Sequence, residues 1–315
     1  MTVRQESGLD ALPYGPFDPV GHRTFELGVR DFVERQTGLR LDYVEQLYTF
    51  GDRGREAPSA SLAGGAAEDR VVSVGYLALV REGGDISAAG AAWRDWYGFF
   101  PWEDWRGDEP STISDRIFPA LAAWRDRADT SAEKTARNRR IAVAFGLDGG
   151  GWREERVLDR YELMYEAGLA PEAFRDREAA GLPAPRAEPQ PALVTGAQMT
   201  SDHRRILATA MSRLRGKLKY RPIIFDACAE RFTLSELQRA AEAICGFRMH
   251  KPNFRRMARG SGLVVDTGET REQTGGRPAA VFKAETTARG AARPALGLAI
   301  PRMGAEPTIK GVKFS

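Results

Sequence analysis

Between Phe232 and Ala284 the sequence leaves few folds open. Thr233-Leu-Ser-Glu236 is a capping box, in which the threonine hydroxyl accepts an orphan backbone N–H and the glutamate reaches back to the cap. Leu234, Leu237, Ala241 and Ile244 then fall on one stripe at helical spacing, and Gly246 ends that helix. A second helix starts near Lys251, with Pro252 tolerated because N–H groups of a first turn have no intrahelical acceptor, and runs to about Gly260. Gly262-Leu-Val-Val-Asp266 leaves as a strand, Thr267 to Gly276 is a polar, Gly-rich hairpin, and Arg277 to Phe282 returns as a second strand. Helix, turn, helix and β-hairpin, in that order, make a winged helix.

The second helix has two unlike faces. At 100° per residue, Phe254, Met257 and Ala258 share one side, and Arg255, Arg256 and Arg259 fall within a sector of about 100° opposite. A short helix anchored by one aromatic and presenting three arginines suits a major groove, because arginine forks onto guanine O6 and N7 or clamps phosphate. Arg271 and Arg277 belong on or beside the wing, near backbone or minor groove. Charge supports this placement. Residues 201–283 hold 17 Lys and Arg against 8 Asp and Glu, a net of +9, so in a chain of net +3 the remainder carries −6. A basic module on an acidic body points to a polyanion at one part only. The competing readings of the module are a solvated basic surface and a helix–hairpin used for protein contacts.

The 315 residues allow two domains of ordinary size, and 42% apolar with 28% charged residues is typical of a soluble globular chain. The opening MTVRQESGLDALPYG lacks the apolar stretch of a secretory signal. The longest near-continuous apolar run, Val71 to Val80, is too short for a membrane-spanning helix and reads as a buried strand. Cys228 and Cys245 are too few for a disulfide framework and read as small buried residues. These features together predict a cytoplasmic protein.

Further along, residues 1–19 read as an irregular lead-in, and Phe25 to Gln36 as a helix with Leu27, Phe32 and Val33 inward and Gly38 as its stop. Tyr43 to Phe50 has strand composition, and Glu56 to Glu68 is a loop. Trp93 to Trp105 concentrates four tryptophans in thirteen residues. Helices are predicted over 112–127, 132–145, 153–167 and 201–219; Ala179 to Pro191 is a Pro- and Ala-rich linker, and the tail after Glu285 is expected to be disordered. His22, His203 and His250 lie far apart with no nucleophile pattern nearby and read as structural or solvated, with His250 placed to cap the second helix of the C-terminal unit.

The front of the chain carries a degenerate Nudix box. A working box reads G-x5-E-x7-R-E-U-x-E-E-x-G-U, with U apolar; its glutamates bind a divalent ion that neutralises a diphosphate and activates water. Ending the register at Gly38-Leu39 puts Arg23 at the early glutamate, Asp31 at the arginine, Phe32 at the first helical glutamate, and Arg35 and Gln36 at the metal-binding pair. At the glutamate slots a phenylalanine, an arginine and an amide do not replace carboxylates as ligands for a hard dication. Leu12-Pro13-Tyr14-Gly15 echoes the Leu-Pro-Gly-Gly that opens such boxes. Arg160 to Leu169 looks superficially like a second box, but Tyr165 interrupts the acidic pair, and it reads as an ordinary helix with a glycine stop.

LPYGPFDP (12–19), RDFVERQTGL (30–39), YVEQLYTFGDRGR (43–55), VVSVGYLALV (71–80), WRDWYGFFPWEDW (93–105), RYELMYEAGL (160–169), DHRRILATAMSRLRGKLKYRPIIFD (202–226) and residues 232–282 together resemble the Nudix-related transcriptional regulators of NAD metabolism, the NrtR family, in particular its NadQ-type branch. The resemblance implies an α+β chain, a Nudix-like α/β/α sandwich followed by a C-terminal winged helix-turn-helix. It also implies a dimeric repressor with a palindromic operator at NAD-synthesis or salvage genes, and an adenine-nucleotide effector such as ADP-ribose, NAD or ATP. On that basis the DNA role falls on Lys251, Asn253, Arg255, Arg256 and Arg277, with Thr233, Arg259 and Arg271 completing the set. The effector role falls on Tyr48, Arg53 and Arg55. The expected division is a Nudix-like effector-sensing domain over 1–128, a helical connector and linker over 129–200, the winged helix over 201–284 and a flexible tail over 285–315. No cofactor, catalytic residue or metal ligand is assigned. The rival readings are a Nudix hydrolase acting on ADP-ribose and a protein-interaction adaptor.

Overall fold

The computed structural model describes residues 1–5, 7–41, 43–52, 71–80, 86, 90–186, 195–272 and 278–285. The predicted 56–68 loop and nearly all of the predicted tail lie outside these residues. The architecture is α+β, as expected.

Part of the lead-in is ordered in strands. β1 (Thr2–Arg4) pairs antiparallel with β2 (Asp10–Ala11) and, on its other edge, with the later strand β5 (Ala91–Ala92). The irregular lead-in read from composition is therefore corrected: these strands are fixed by a partner far along the chain, which local sequence does not reveal. Helix α1 (Phe25–Thr37) starts on the Thr24 hydroxyl, which accepts from Leu27 N at 3.2 Å, and ends at Gly38 in the left-handed region. Its packing partner is the 12–15 segment. A Cβ on Gly15 would sit 3.1 Å from the Phe32 ring, and the Gln36 amide pairs with both backbone groups of Tyr14. This choice of face buries Val33 and Thr37 and leaves Leu27 about half exposed, against the inward position predicted for it.

Strands β3 (Tyr43–Phe50) and β4 (Ser73–Leu79) form an antiparallel ribbon with a bulge between Gln46 and Tyr48. Leu47 and Leu77 turn inward. Gly75 is required by close approach: a Cβ there would lie 2.9 Å from Phe50 and 3.2 Å from Ile206.

The tryptophan-rich segment winds through two 3-10 turns, Trp96–Gly98 and Pro101–Glu103, into the first hydrophobic core. Around it stand α2 (Phe118–Asp126), led in by a π-turn over Ile113–Ile117, then α3 (Ser131–Phe145), α4 (Val157–Glu166) and α5 (Pro171–Ala179). α5 has no counterpart among the predicted helices, although Pro171 at its first turn is a legible start. Residues 187–194 of the predicted linker lie outside the described residues.

Helix α6 (His203–Leu218) is the spine. Ala208 and Met211 sit in the first core, and Leu214 and Leu218 in the second, with Leu47, Leu77 and the winged helix. Its charged side chains tie the parts together. Arg215 Nη1 donates to Glu103 Oε2 at 2.6 Å, and Arg160 Nε donates to Glu103 Oε1 at 2.6 Å, all three side chains being 0% exposed. Burial pushes the Glu103 carboxyl up, but the Arg160 and Arg215 guanidiniums outweigh it and hold the group below the ordinary carboxylate range. Arg204 bonds Glu172 at 3.1 Å and the Phe99 carbonyl, Lys217 reaches Glu45 and Tyr43 on the ribbon, and Arg205 reaches Asp52.

His203 supplies a pH-dependent test of this packing. Its ring is buried, Nδ1 accepts the Leu12 N–H at 3.0 Å, and burial followed by the nearby Arg175 charge lowers its pKa to about 4. A histidine whose folded pKa lies below its unfolded value stabilises the fold fully above the unfolded pKa. The contribution is lost as pH falls from about 6.5 towards 4. The expected loss is about 3 kcal/mol across that window. Urea unfolding at pH 7 and pH 4 should therefore show a smaller pH dependence for His203→Gln than for the parent; equal dependence in the two would refute the assignment.

The C-terminal unit has the predicted order with one added strand. β6 (Arg231–Thr233) leads into α7 (Leu234–Cys245), α8 (Lys251–Gly260), β7 (Val264–Arg271) and β8 (Ala279–Ala284), and the sheet order is β6-β8-β7. β7 runs past the predicted end at Asp266. The register jumps from Asp266↔Phe282 to Thr270↔Ala280, and Gly268 at φ 76° accommodates the extra residues. Gly246 caps α7 at φ 83°, where a Cβ would meet the Glu103 carbonyl at 2.4 Å. Trp105 N donates to the Gly246 carbonyl and Tyr97 Oη to the Ala243 carbonyl, so the tryptophan-rich segment docks directly on the turn between α7 and α8. Cys228 and Cys245 are buried thiols, not joined in a disulfide.

Candidate nucleic-acid interface

α8 places its apolar and basic residues on opposite sides. Phe254 and Ala258 are fully buried, Met257 is partly buried, and Lys251, Arg255, Arg256 and Arg259 are exposed. The anchor is Phe254, which belongs to the second core. Arg255 Nη2 donates to Ser235 Oγ at 3.3 Å, Arg256 Nη2 to Asn253 Oδ1 at 3.4 Å, and the Arg259 guanidinium lies 5.7 Å from the Phe282 ring centre. Among the described residues, none of Lys251, Arg255, Arg256 and Arg259 pairs with a carboxylate. Elsewhere such pairing is common: Arg30–Glu26, Arg35–Asp31, Arg40–Glu34, Arg137–Glu133 and Arg140–Glu166 are all matched. α8 thus presents four exposed cations with no carboxylate partner among the described residues.

Other residues in the predicted set are placed differently. Thr233 is buried and its hydroxyl accepts from Glu236 N at 3.2 Å, while Glu236 Oε2 accepts from Thr233 N at 2.7 Å. The capping box is therefore complete and fixes where α7 begins. Arg271 projects from β7 onto Glu236 at 2.9 and 3.1 Å, so its charge is already matched. Asn253 is half-buried beside Arg256. His250 occupies the α8 N-cap position without a side-chain cap bond, which corrects the capping role predicted for it. Arg277 lies outside the described residues.

At the front, Tyr48 is 60% exposed on β3, with its ring 5.4 Å from that of Phe50. Arg53 and Arg55 lie outside the described residues. The slots of the degenerate box are occupied by local contacts. Phe32 packs on Gly15, Arg35 pairs with Asp31 at 2.7 Å, and the Gln36 amide bonds the Tyr14 backbone. Among the described residues no group of three or more His, Cys, Asp or Glu side chains is placed to hold a metal ion. The second apparent box is the ordinary helix α4, with Arg160 in the buried ion cluster and Glu166 paired to Arg140.

Two exposed cations beside α8 escaped the sequence reading, Arg239 on α7 and Arg248 in the turn. Arg239 is four residues past Ser235, a spacing that puts both on one helix face and was readable in principle.

A basic recognition helix anchored by one aromatic, a capped preceding helix and a three-stranded wing sheet define a DNA-binding winged helix. Residues 224–284 match the NrtR DNA-binding winged helix domain. The ADPR responsive transcriptional repressor NtrR of Acinetobacter baylyi is 35% identical over 82 residues, which is 26% of this chain and 32% of that protein. The chain thus matches about a third of the length of this curated relative. Two crystal structures of NrtR from Shewanella oneidensis align more broadly. The one complexed with a 27mer DNA covers 90% of this chain and 85% of its own at 20% identity and TM-score 0.46; the other covers 92% and 88% at 18% identity and TM-score 0.46. No described helix is long and apolar enough to cross a membrane.

Proposed function

We propose that this protein is a dimeric transcriptional repressor of NAD biosynthesis or salvage genes, working in the cytoplasm. Its winged helix binds operator DNA, and a Nudix-like front domain without hydrolase activity senses an adenine nucleotide, ADP-ribose first among ADP-ribose, NAD and ATP. The observation that carries this reading is the outward face of α8, where Arg255, Arg256 and Arg259 have no carboxylate partner among the described residues while Phe254 anchors the helix. The printed name of the Acinetobacter baylyi relative, an ADPR responsive repressor, supports the choice of effector. The proposed division keeps 1–128 as sensor, 129–200 as connector, 201–284 as DNA-binding domain and 285–315 as tail. The proposed DNA contacts are Lys251, Asn253, Arg255, Arg256, Arg259 and Arg277, with Thr233 and Arg271 acting through the geometry of α7 and the wing. Tyr48, Arg53 and Arg55 form the proposed effector set.

The chemistry of the front slots favours sensing over hydrolysis, since phenylalanine, arginine and an amide supply no ligand for a hard dication. In a dimer, two recognition helices fill successive major grooves only at a spacing of about 34–36 Å. An effector that binds the sensor better in another arrangement releases the operator. The test is to select bound fragments from genomic DNA and then titrate ADP-ribose, NAD and ATP into the complex. Release by ADP-ribose is the expected result, and Arg255→Ala should weaken operator binding by about 1–3 kcal/mol. Turnover of ADP-ribose with Mg²⁺ near ~1 s⁻¹, an ordinary enzymatic rate, would establish the hydrolase reading instead.

A further inference from the structure

A cleft of about 730 Å³ separates the Asp104–Gly107 turn of the tryptophan-rich segment from α7, α8 and the turn between them. Four cations line it, Arg106, Arg239, Arg248 and Lys251, with two acids, Asp104 and Glu242. Both acids are engaged. Asp104 takes a bidentate pair from Arg106 at 2.8 and 2.9 Å, and Glu242 Oε1 accepts from Gln238 Nε2 and Met249 N, each at 2.8 Å. Arg106 matches the Asp104 charge, whereas the donors on Glu242 are neutral and leave its charge in place. The lining therefore keeps a net charge of +2 (four cations, two acids), and among the described residues none of Arg239, Arg248 and Lys251 forms an ion pair. Arg248 is held by donating Nε to the Arg106 carbonyl, and Arg239 lies one helical turn from Ser235, the residue that receives Arg255. The cleft thus adjoins the basic face of α8 at Lys251, and its far wall, the Asp104–Gly107 turn, comes from outside the winged helix.

We propose that this cleft holds backbone phosphates flanking the bases read by α8, with Arg239, Arg248 and Lys251 as the donors. The inference rests on the reading of the chain as a DNA-binding protein and adds a second contact region to it. Contacts of this kind fix orientation and carry no sequence information. Each cation set against a phosphate releases counterions and adds about 0.9 to the slope of log K against log salt. The front segment also becomes part of the duplex-binding surface, since the Asp104–Gly107 turn fixes Arg248.

The experiment measures binding of the full chain to an operator fragment and to an unrelated duplex across a salt series, for the parent and for Arg239→Gln, Arg248→Gln and Arg255→Ala. Arg239 has only a backbone acceptor in its own helix, so its substitution leaves the fold intact and serves as the folding control. Arg239→Gln and Arg248→Gln are each expected to reduce the salt slope by about 0.9 and to weaken both duplexes by the same factor, roughly tenfold at 0.1 M salt. Arg255→Ala is expected to weaken the operator more than the unrelated duplex. Unchanged slopes in both glutamine variants, with Arg255→Ala still impaired, would overturn the cleft proposal and leave the proposed function standing. No salt-dependent duplex binding by the parent would overturn both. Loss of ADP-ribose affinity in the glutamine variants with unchanged duplex slopes would reassign the cleft to a free nucleotide and refute the proposal.

Discussion

Glu103→Ala is expected to lower the unfolding free energy by about 3–5 kcal/mol. The carboxylate is fully buried between Arg160 and Arg215, whose guanidiniums are equally buried. Removing it leaves two cations in the interior facing each other, with hydrogen-bond donors that no longer meet an anion. A domain of ordinary stability has only about 5–15 kcal/mol in total, so much of the margin disappears. The comparison that isolates the electrostatic cause is the triple replacement Glu103→Leu, Arg160→Met and Arg215→Met. An apolar set of similar volume restores part of the lost stability, because the buried charges are removed together while the Ala144, Arg153, Glu154 and Ile244 carbonyls lose their arginine donors. Urea unfolding of the three proteins checks this; a Glu103→Ala midpoint close to the parent's would show that water reaches the cluster.

The largest functional effect is expected from Arg255→Ala, Arg256→Ala and Arg259→Ala combined. Each guanidinium directed at a base or phosphate contributes on the order of 1–3 kcal/mol, so the triple variant should lose more than about a hundredfold in operator affinity. The fold should remain, because these side chains are exposed and meet only Ser235, Asn253 and the Phe282 ring among the described residues. Fluorescence anisotropy with a labelled operator gives the affinity, and circular dichroism melting gives the stability. Undiminished affinity in a folded triple variant would remove α8 from the interface.

The winged helix was legible because its signals are local. The Thr233–Glu236 box, the Gly246 stop, Pro252 and the split faces of 251–260 each act within one or two helical turns, and each is realised in the structure. The front and middle were less legible because their elements are fixed by distant partners. β1 depends on Ala91 and Ala92, Leu27 is exposed because α1 packs on residues 12–15, and β6 forms only against β8. The buried cluster was also hidden. Arg160 was noticed only within a false box, and no spacing rule joins it to Glu103 and Arg215, which lie 57 residues before and 55 residues after it in the chain. For the candidate site, sequence separated the basic and apolar faces of α8 but did not single out Arg239 and Arg248, which only the packing of the Asp104–Gly107 turn against α7 and α8 brings to one cleft.

Helix α6 gives Ala208 and Met211 to one apolar interior and Leu214 and Leu218 to the other. The segment that matches the regulator family begins at residue 224, six residues beyond the end of this helix at Leu218. Excising the matched segment alone would therefore strip two leucines and the ribbon's Leu47 and Leu77 from its interior, leaving greasy surface open to water. The evolutionary module and the folding unit have different edges. A fragment built for binding studies must start ahead of His203, and even then it parts α6 from the front-half residues packed on its other side.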